Sequence, residues 1–418
     1  MEKKTFRLLE ILKPVFSKNG KQLIIGANGQ EVEIGSAHFQ NNKPVFFDLK
    51  GNEIKGAKAL IQSNFDERSK LTNASVLKSA DQDRSSLIQQ FTINRRPVFL
   101  DLSGNIIDVE QGQAGGGGVL MAQNGSLVYY ATIVNDVYAY FRTMQGSTVP
   151  AGLQFPITQA ALTSVTNFAR AHGKTLVDSN AMAIEVKSAW VEADGLPDKD
   201  KFIQMQATIP TYDKTDPNKW VPNGQKTVTL AMVGIHVVGS TLGHPEMLWG
   251  TFEHVSNDPD TTYNYNTASG TGTIVMSTGG NFVFCANGAA SPFNQAHMRD
   301  SSGVIVPEPG FTISPSNTAR LMPWGMVGTN ASSNAELITI NNSVRNMLVT
   351  GDLRINYVQT GTTWTIGGAA PNSSNQVGTN QLANTTMETY QPGSNCFDCH
   401  ASNNTNVSHV FSAIKPLF

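Results

Sequence analysis

The chain has 418 residues, of which 40% are hydrophobic, enough for a real core and against global disorder. Only 15% are charged, against roughly 25% in an average soluble chain, and the formal net charge is −2. That balance offers no basic face for phosphate backbones, so nucleic acid is disfavoured as a partner, and no apolar run reaches the roughly 20 residues of a membrane helix.

The opening Met1-Glu2-Lys3-Lys4 resembles the start of a signal peptide, but Arg7, Glu10 and Lys13 interrupt the apolar core that should follow. Residues 1–111 read as a hairpin-repeat module and carry more than half of the chain's 30 Lys and Arg. Pro44-Val45-Phe46-Phe47-Asp48-Leu49-Lys50-Gly51-Asn52 recurs as Pro97-Val98-Phe99-Leu100-Asp101-Leu102-Ser103-Gly104-Asn105. An apolar run, a Gly-Asn turn and a second apolar run is hairpin grammar. Residues 23–34 and 119–128 share it, around a short helix predicted near 77–91. Gly112-Gln113-Ala114-Gly115-Gly116-Gly117-Gly118 reads as a linker. It is not a Walker loop, because no Lys-Ser/Thr follows.

A β-rich core is expected over 119–360. Helical spacing of Val137, Tyr140, Phe141 and Met144 predicts a helix over 134–144. A second, over 157–172, carries Leu162, Val165 and Phe168 and stops at Gly173. Strands are predicted over 183–191, 202–210, 227–238 and 247–255, with shorter ones at 281–286 and 310–313. A helix is expected over 337–348. The fold class is therefore mainly β with a few helices, a β-sandwich or jelly-roll-like core. Residues 361–418 form a loop-rich arm.

That arm carries Cys396-Phe397-Asp398-Cys399-His400, the attachment pattern of a c-type haem. Two thiols three positions apart can add to the two vinyl groups of one haem edge, and the adjacent imidazole then faces the iron as proximal ligand. One motif implies one covalent haem, with Cys396, Cys399 and His400 as its residues. A structural zinc site needs four ligands, and Cys285 or His409 would have to complete it. A thioredoxin-type dithiol lacks its βαβ context here. An odd cysteine count, Cys285 being the third, argues against a disulfide scaffold.

For the sixth iron position or a second metal the candidates are His236, His254, His244, His409 and Met387. Alternation puts Val228, Leu230, Met232, His236 and Val238 on one strand face, and Leu248, Phe252 and His254 on one face of the next. A hairpin would then bring His236 and His254 to one side. The plainer reading is that both are buried histidines satisfied by backbone partners. His297-Met298 is a weaker soft-ligand pair in an expected loop. Glu246 and Glu253 are placed for acid–base work, and Trp249 for packing on haem or core. Gly-x-Ser-x-Gly and His-Glu-x-x-His are absent.

Three further segments carry a resemblance. They are Val233-Gly234-Ile235-His236-Val237-Val238-Gly239-Ser240, the run from His244-Pro245-Glu246-Met247 through Trp249 to Thr251-Phe252-Glu253-His254, and Leu382 to Tyr390 leading into the Cys396 motif, with Val407-Ser408-His409-Val410-Phe411 beyond. Residues 127–418 resemble an uncharacterised group of bacterial cytochrome c-like exported proteins. The resemblance implies covalent haem and a periplasmic or secreted location. The expected function is electron transfer to a redox partner protein, or redox chemistry on a small molecule. The alternatives are a binding or adhesion protein with a structural haem, and a copper- or zinc-dependent enzyme using the core histidines.

Overall fold

The structure is a computed structural model. It describes residues 23–25, 31–40, 43–48, 50, 52, 58–59, 91–93, 96–100 and 106–108, then 118–146, 153–176, 181–301, 303–325, 328–379, 381–391, 393, 396–400, 406–408, 410–411 and 416–417. The predicted helix over 77–91 and the linker over 112–118 fall almost wholly outside these residues.

The chain divides into two units, one of residues 1–88 with 338–357, the other of 89–337 with 358–418. In the first, β1 (Leu23–Ile25), β2 (Glu31–Gln40), β3 (Lys43–Asp48) and β4 (Lys58–Ala59) form an antiparallel sheet in the order β3-β2-β1-β4. The expected hairpin over 23–34 is present, with Leu23 opposite Glu33. The second repeat belongs elsewhere. Its strands β5 (Phe91–Ile93), β6 (Arg96–Leu100) and β7 (Ile106–Asp108) lead into the large sheet, where Ile107 pairs with Ala131. These strands belong to the unit that begins at residue 89. Two copies of one hairpin pattern join different sheets, because the pattern encodes a turn and not a neighbour.

The second unit contains β8 (Gly118–Val119), β9 (Tyr129–Val134), α1 (Asp136–Met144), α2 (Gln159–Ala171), β10 (Ile184–Glu192), β11 (Gln204–Asp213), β12 (Val221–Thr241) and β13 (His244–His254). Beyond them come β14 (Tyr263–Thr267), β15 (Gly270–Ile274), β16 (Met298–Ser301), β17 (Val304–Pro307), β18 (Tyr357–Thr365), β19 (Gln376–Gly378) and α4 (Cys396–His400). The helix α3 (Ala331–Met347) spans the division between the units. The large sheet runs β19-β18-β13-β12-β10-β9-β7-β6-β5, with β11 also on β12. The mainly β class is borne out, and the registered strand pairs are antiparallel. No helix among the described residues is long and apolar enough to cross a membrane.

The helices follow their local signals. The Asn135 side chain accepts from Tyr138 N at 3.0 Å, capping α1. The same oxygen accepts from Ile184 N at 3.0 Å, which ties the helix start to β10. Thr158 caps α2, and Gly173 ends it with a φ of +74°. Two expected strands do not form. Residues 281–286 are irregular, because Val283 N and Phe284 N bond to Ser256 O and Asn257 O in a loop. Gly310 has a φ of +85°, which breaks the extended run at 310–313. Strand β18 runs into the arm expected to be loop-rich, and the short β19 lies within it.

Strand β12 organises this unit. Leu230 and Ala231 pair with both β10 and β11, so those two strands lie on opposite edges of β12. Its other half pairs with β13 through a two-residue turn at Leu242-Gly243, with Thr241 opposite His244. Residues 230–236 are buried without interruption, so both faces are covered there. Val238, Met247 and Trp249 pack with Tyr138 and Phe141 of α1, Leu162 and Val165 of α2, and Leu382, Phe397, Val407 and Phe411 of the C-terminal arm. The arm is thus part of the core.

One glycine permits this docking. A Cβ on Gly234 would overlap the Thr386 hydroxyl and come within 3.0 Å of Asn384 Oδ1. Neither neighbour yields easily, since Thr386 donates to Asn384 at 2.7 Å and Asn384 donates to Thr251 Oγ1 and Phe252 O at 3.0 Å each. Gly234→Ala is expected to cost about 1–3 kcal/mol of stability, read as a lower denaturant midpoint with an unchanged m-value. An unchanged midpoint would contradict this packing.

Candidate functional site

The register of β12 and β13 decides which histidine meets which. His236 pairs with Thr251 and Val238 with Trp249. Paired residues of an antiparallel ladder share a face, so His236 lies with Met247, Trp249 and Thr251. That is the buried set, whereas Leu248 and Phe252 are half-buried. His254, three residues beyond Thr251, falls out of this alternation. The expected juxtaposition of His236 and His254 is corrected accordingly.

Around His236 a site assembles. Its Nε2 lies 2.8 Å from Glu388 Oε1. Glu388 Oε2 accepts from Asn384 N at 2.9 Å, so the carboxylate is fixed by the turn that Asn384 staples to β13. An ionised carboxylate only accepts, so Nε2 donates to Glu388, and in the neutral imidazole Nδ1 then carries the lone pair. That Nδ1 is buried and has no partner among the described residues. Burying such a group costs about 1–3 kcal/mol. Lys187, directly across from His236 on β10, is half-buried. Burial lowers its pKa, opposed by the Glu388 and Glu185 carboxylates.

The Cys396 motif lies against this face. Residues at i and i+4 share one side of a helix, so α4 places Cys396 and His400 together. The His400 ring centroid is 4.4 Å from that of Trp249, and the same indole meets His236 at 5.1 Å. Cys396 packs against the core cluster and Phe397 is inside it. Burial, and then the Glu388 carboxylate, push the Cys396 thiol up to about 11. The Cys399 side chain and His409 lie outside the described residues. Beyond the motif the chain is tied down again. Val407 N bonds Glu246 O at 3.0 Å, Ser408 Oγ meets Tyr138 Oη at 2.7 Å, and Arg142 Nε bonds Phe411 O at 3.1 Å. The segments that carry the sequence resemblance thus meet around one strand pair.

The donor set suits a covalent haem. The two cysteines and the histidine have the required helical spacing. His400 meets Trp249 with its rings tilted at 47°, whereas iron is bound in the plane of the imidazole, so that packing does not compete with ligation.

The other candidates stand apart. His244 bonds Glu246 Oε1 at 2.9 Å at the hairpin turn, and Glu246 also accepts from Thr365 N. Met387 is fully buried in a separate cluster with Leu120, Val283 and Phe284. His297 stacks on Phe311, while Met298 opens β16 and points into the core, so the pair is not a loop pair. His236, His244 and His254 do not converge. Among the described residues no three His, Cys, Asp or Glu side chains are grouped as a metal ion would require.

A second polar cluster was not expected. Arg320 Nε lies 2.9 Å from Glu253 Oε1, and the same guanidinium pairs with Asp260. Asp258 accepts from the Thr318 hydroxyl. Cys285 is buried near Asp258, and burial and then that carboxylate push its thiol up to about 11. His254 stacks on Phe202 at 3.7 Å and bonds Ser256 Oγ at 2.8 Å. This is a structural ion cluster locking the turn after β13. Glu253 is therefore held by Arg320 and not free for acid–base work. Sequence reasoning passed over Lys187, Glu388, Asp258 and Arg320, because each lies alone in an unremarkable stretch.

Comparison with family models, with curated proteins and with solved structures found no match to this chain.

Two groups of this cluster titrate against each other. Burial, then the Glu253 charge, raise Asp258 to about 7, so its contribution to stability is lost as pH rises from about 4 to 7. Burial lowers His254 to about 4, so its contribution is lost as pH falls from about 6.5 to 4. The slopes oppose in the wild type. Asp258→Asn removes one, so unfolding free energy should rise more steeply from about pH 4.5 to 6.5 than in the wild type. Denaturant unfolding at the two pH values measures this, and equal slopes would contradict it.

Proposed function

We propose that this chain is an exported single-haem c-type protein, with haem held by thioethers from Cys396 and Cys399 and iron by His400. Its work is electron transfer with a redox partner protein, or redox chemistry on a small molecule. The observation that carries the reading is the docking of α4, with Cys396 packed against the core cluster and His400 against Trp249. Haem supplies a one-electron iron couple. The chain's residues do the rest. Trp249 and Phe397 keep water from the motif, both being buried. The Glu388 carboxylate beside Cys396 and His236 sets a negative charge near the motif, which favours the oxidised state. A redox dithiol fits less well, because a reactive cysteine needs a lowered pKa and that of Cys396 is raised. Covalent attachment of haem takes place outside the cytoplasm, so the reading carries a periplasmic or secreted location with it.

The test is expression with an export signal and haem-attachment machinery, followed by a haem stain on a denaturing gel. Staining is expected for the wild type and not for the Cys396→Ser/Cys399→Ser variant. A wild-type band without stain in that host overturns the reading.

A further inference from the structure

We infer that His236 supplies the second axial ligand of the iron through Nδ1, with Glu388 as its positioning residue. This rests on the haem reading above and names the ligand that reading leaves open.

Three observations carry it. First, His236 has one ring nitrogen bonded to a carboxylate, at 2.8 Å, and the other buried without a partner among the described residues. A histidine that ligates a metal characteristically donates its remaining N–H to a carboxylate, which fixes its tautomer and raises its basicity. A buried lone pair with no donor facing it is the complementary half of that arrangement. Second, His236 and His400 both pack on Trp249, at 5.1 and 4.4 Å. Third, the described alternatives are spent or distant. His254 bonds Ser256 and Lys201 O and stacks on Phe202. His244 is engaged with Glu246, and Met387 packs in a different cluster from Cys396.

Glu388 acts on the iron through His236. Its negative charge makes the imidazole a stronger donor, which favours the oxidised state.

The test uses the purified full-length haem-loaded protein. The wild type is expected to give a six-coordinate low-spin spectrum in both oxidation states, and its reduced form should not bind carbon monoxide. His236→Ala should shift to high spin and bind carbon monoxide when reduced, and added imidazole should restore the low-spin spectrum. Glu388→Gln keeps the ligand, so it should stay low-spin with a raised midpoint potential. If His236→Ala fails to fold, the wild type and Glu388→Gln still decide. A wild type that is high-spin or binds carbon monoxide overturns the inference, as does an unchanged potential in Glu388→Gln. A low-spin spectrum in folded His236→Ala without imidazole overturns the ligand while leaving covalent haem intact. Absence of covalent haem from the wild type overturns both.

Discussion

A short C-terminal segment held against the middle of a long strand is the constraint on which the rest of this molecule depends. Asn384 makes that contact. It donates to Thr251 and Phe252, accepts from Thr386, and through its backbone N–H fixes Glu388. The absent Cβ of Gly234 lets the segment lie flat on β12. Everything distinctive about the site then follows from position. Glu388 reaches His236, the next residues carry α4 over Trp249, and the chain beyond is tied to α1 through Tyr138 and Arg142. The arm completes the core, since Leu382, Phe397, Val407 and Phe411 are as deeply buried as the sheet residues they cover.

The burial of charge around this contact is extensive. On one side Arg320 gathers Glu253 and Asp260 beside Asp258, with no obvious chemical use beyond locking a turn. On the other, His236, Glu388 and Lys187 are drawn into the sheet face where apolar groups would pack more simply. Buried ion clusters are weak devices for stability, and their retention needs another reason. For the Arg320 cluster that reason is structural specificity of the loop after β13. In the His236 cluster, Glu388 fixes the orientation of the imidazole. The two clusters are bridged by residues 384–388, since the Thr385 hydroxyl faces Asp258 while Glu388 faces His236.

Much of this was legible in the amino-acid sequence, for identifiable reasons. The apolar spacing of α1 and α2 and the stop at Gly173 are local, so the sequence announces them, whereas the caps Asn135 and Thr158 emerged only with the structure. The strands around β12 are long and rich in β-branched residues, so their existence was plain. Register was not. The pairing of His236 with Thr251 is set by the turn at Leu242-Gly243, and one residue of slip changes which side chains share a face. That is why His254 was grouped with His236 and Trp249 was not. The Cys396 motif was visible because its chemistry demands a fixed spacing. Glu388 and Lys187 were invisible, because contacts between residues far apart in sequence leave no periodic trace. The hairpin repeat did not reveal its sheet partners, since identical local grammar serves two sheets.

The central claim is that this docked motif carries a covalent haem, and intact-protein mass spectrometry under denaturing conditions tests it most directly. Protein exported through a haem-attachment pathway should have a mass greater than its polypeptide by a single haem, and Cys396→Ser/Cys399→Ser should have the polypeptide mass alone. A wild-type protein at the bare polypeptide mass, made in a host that loads other c-type proteins, would contradict the account.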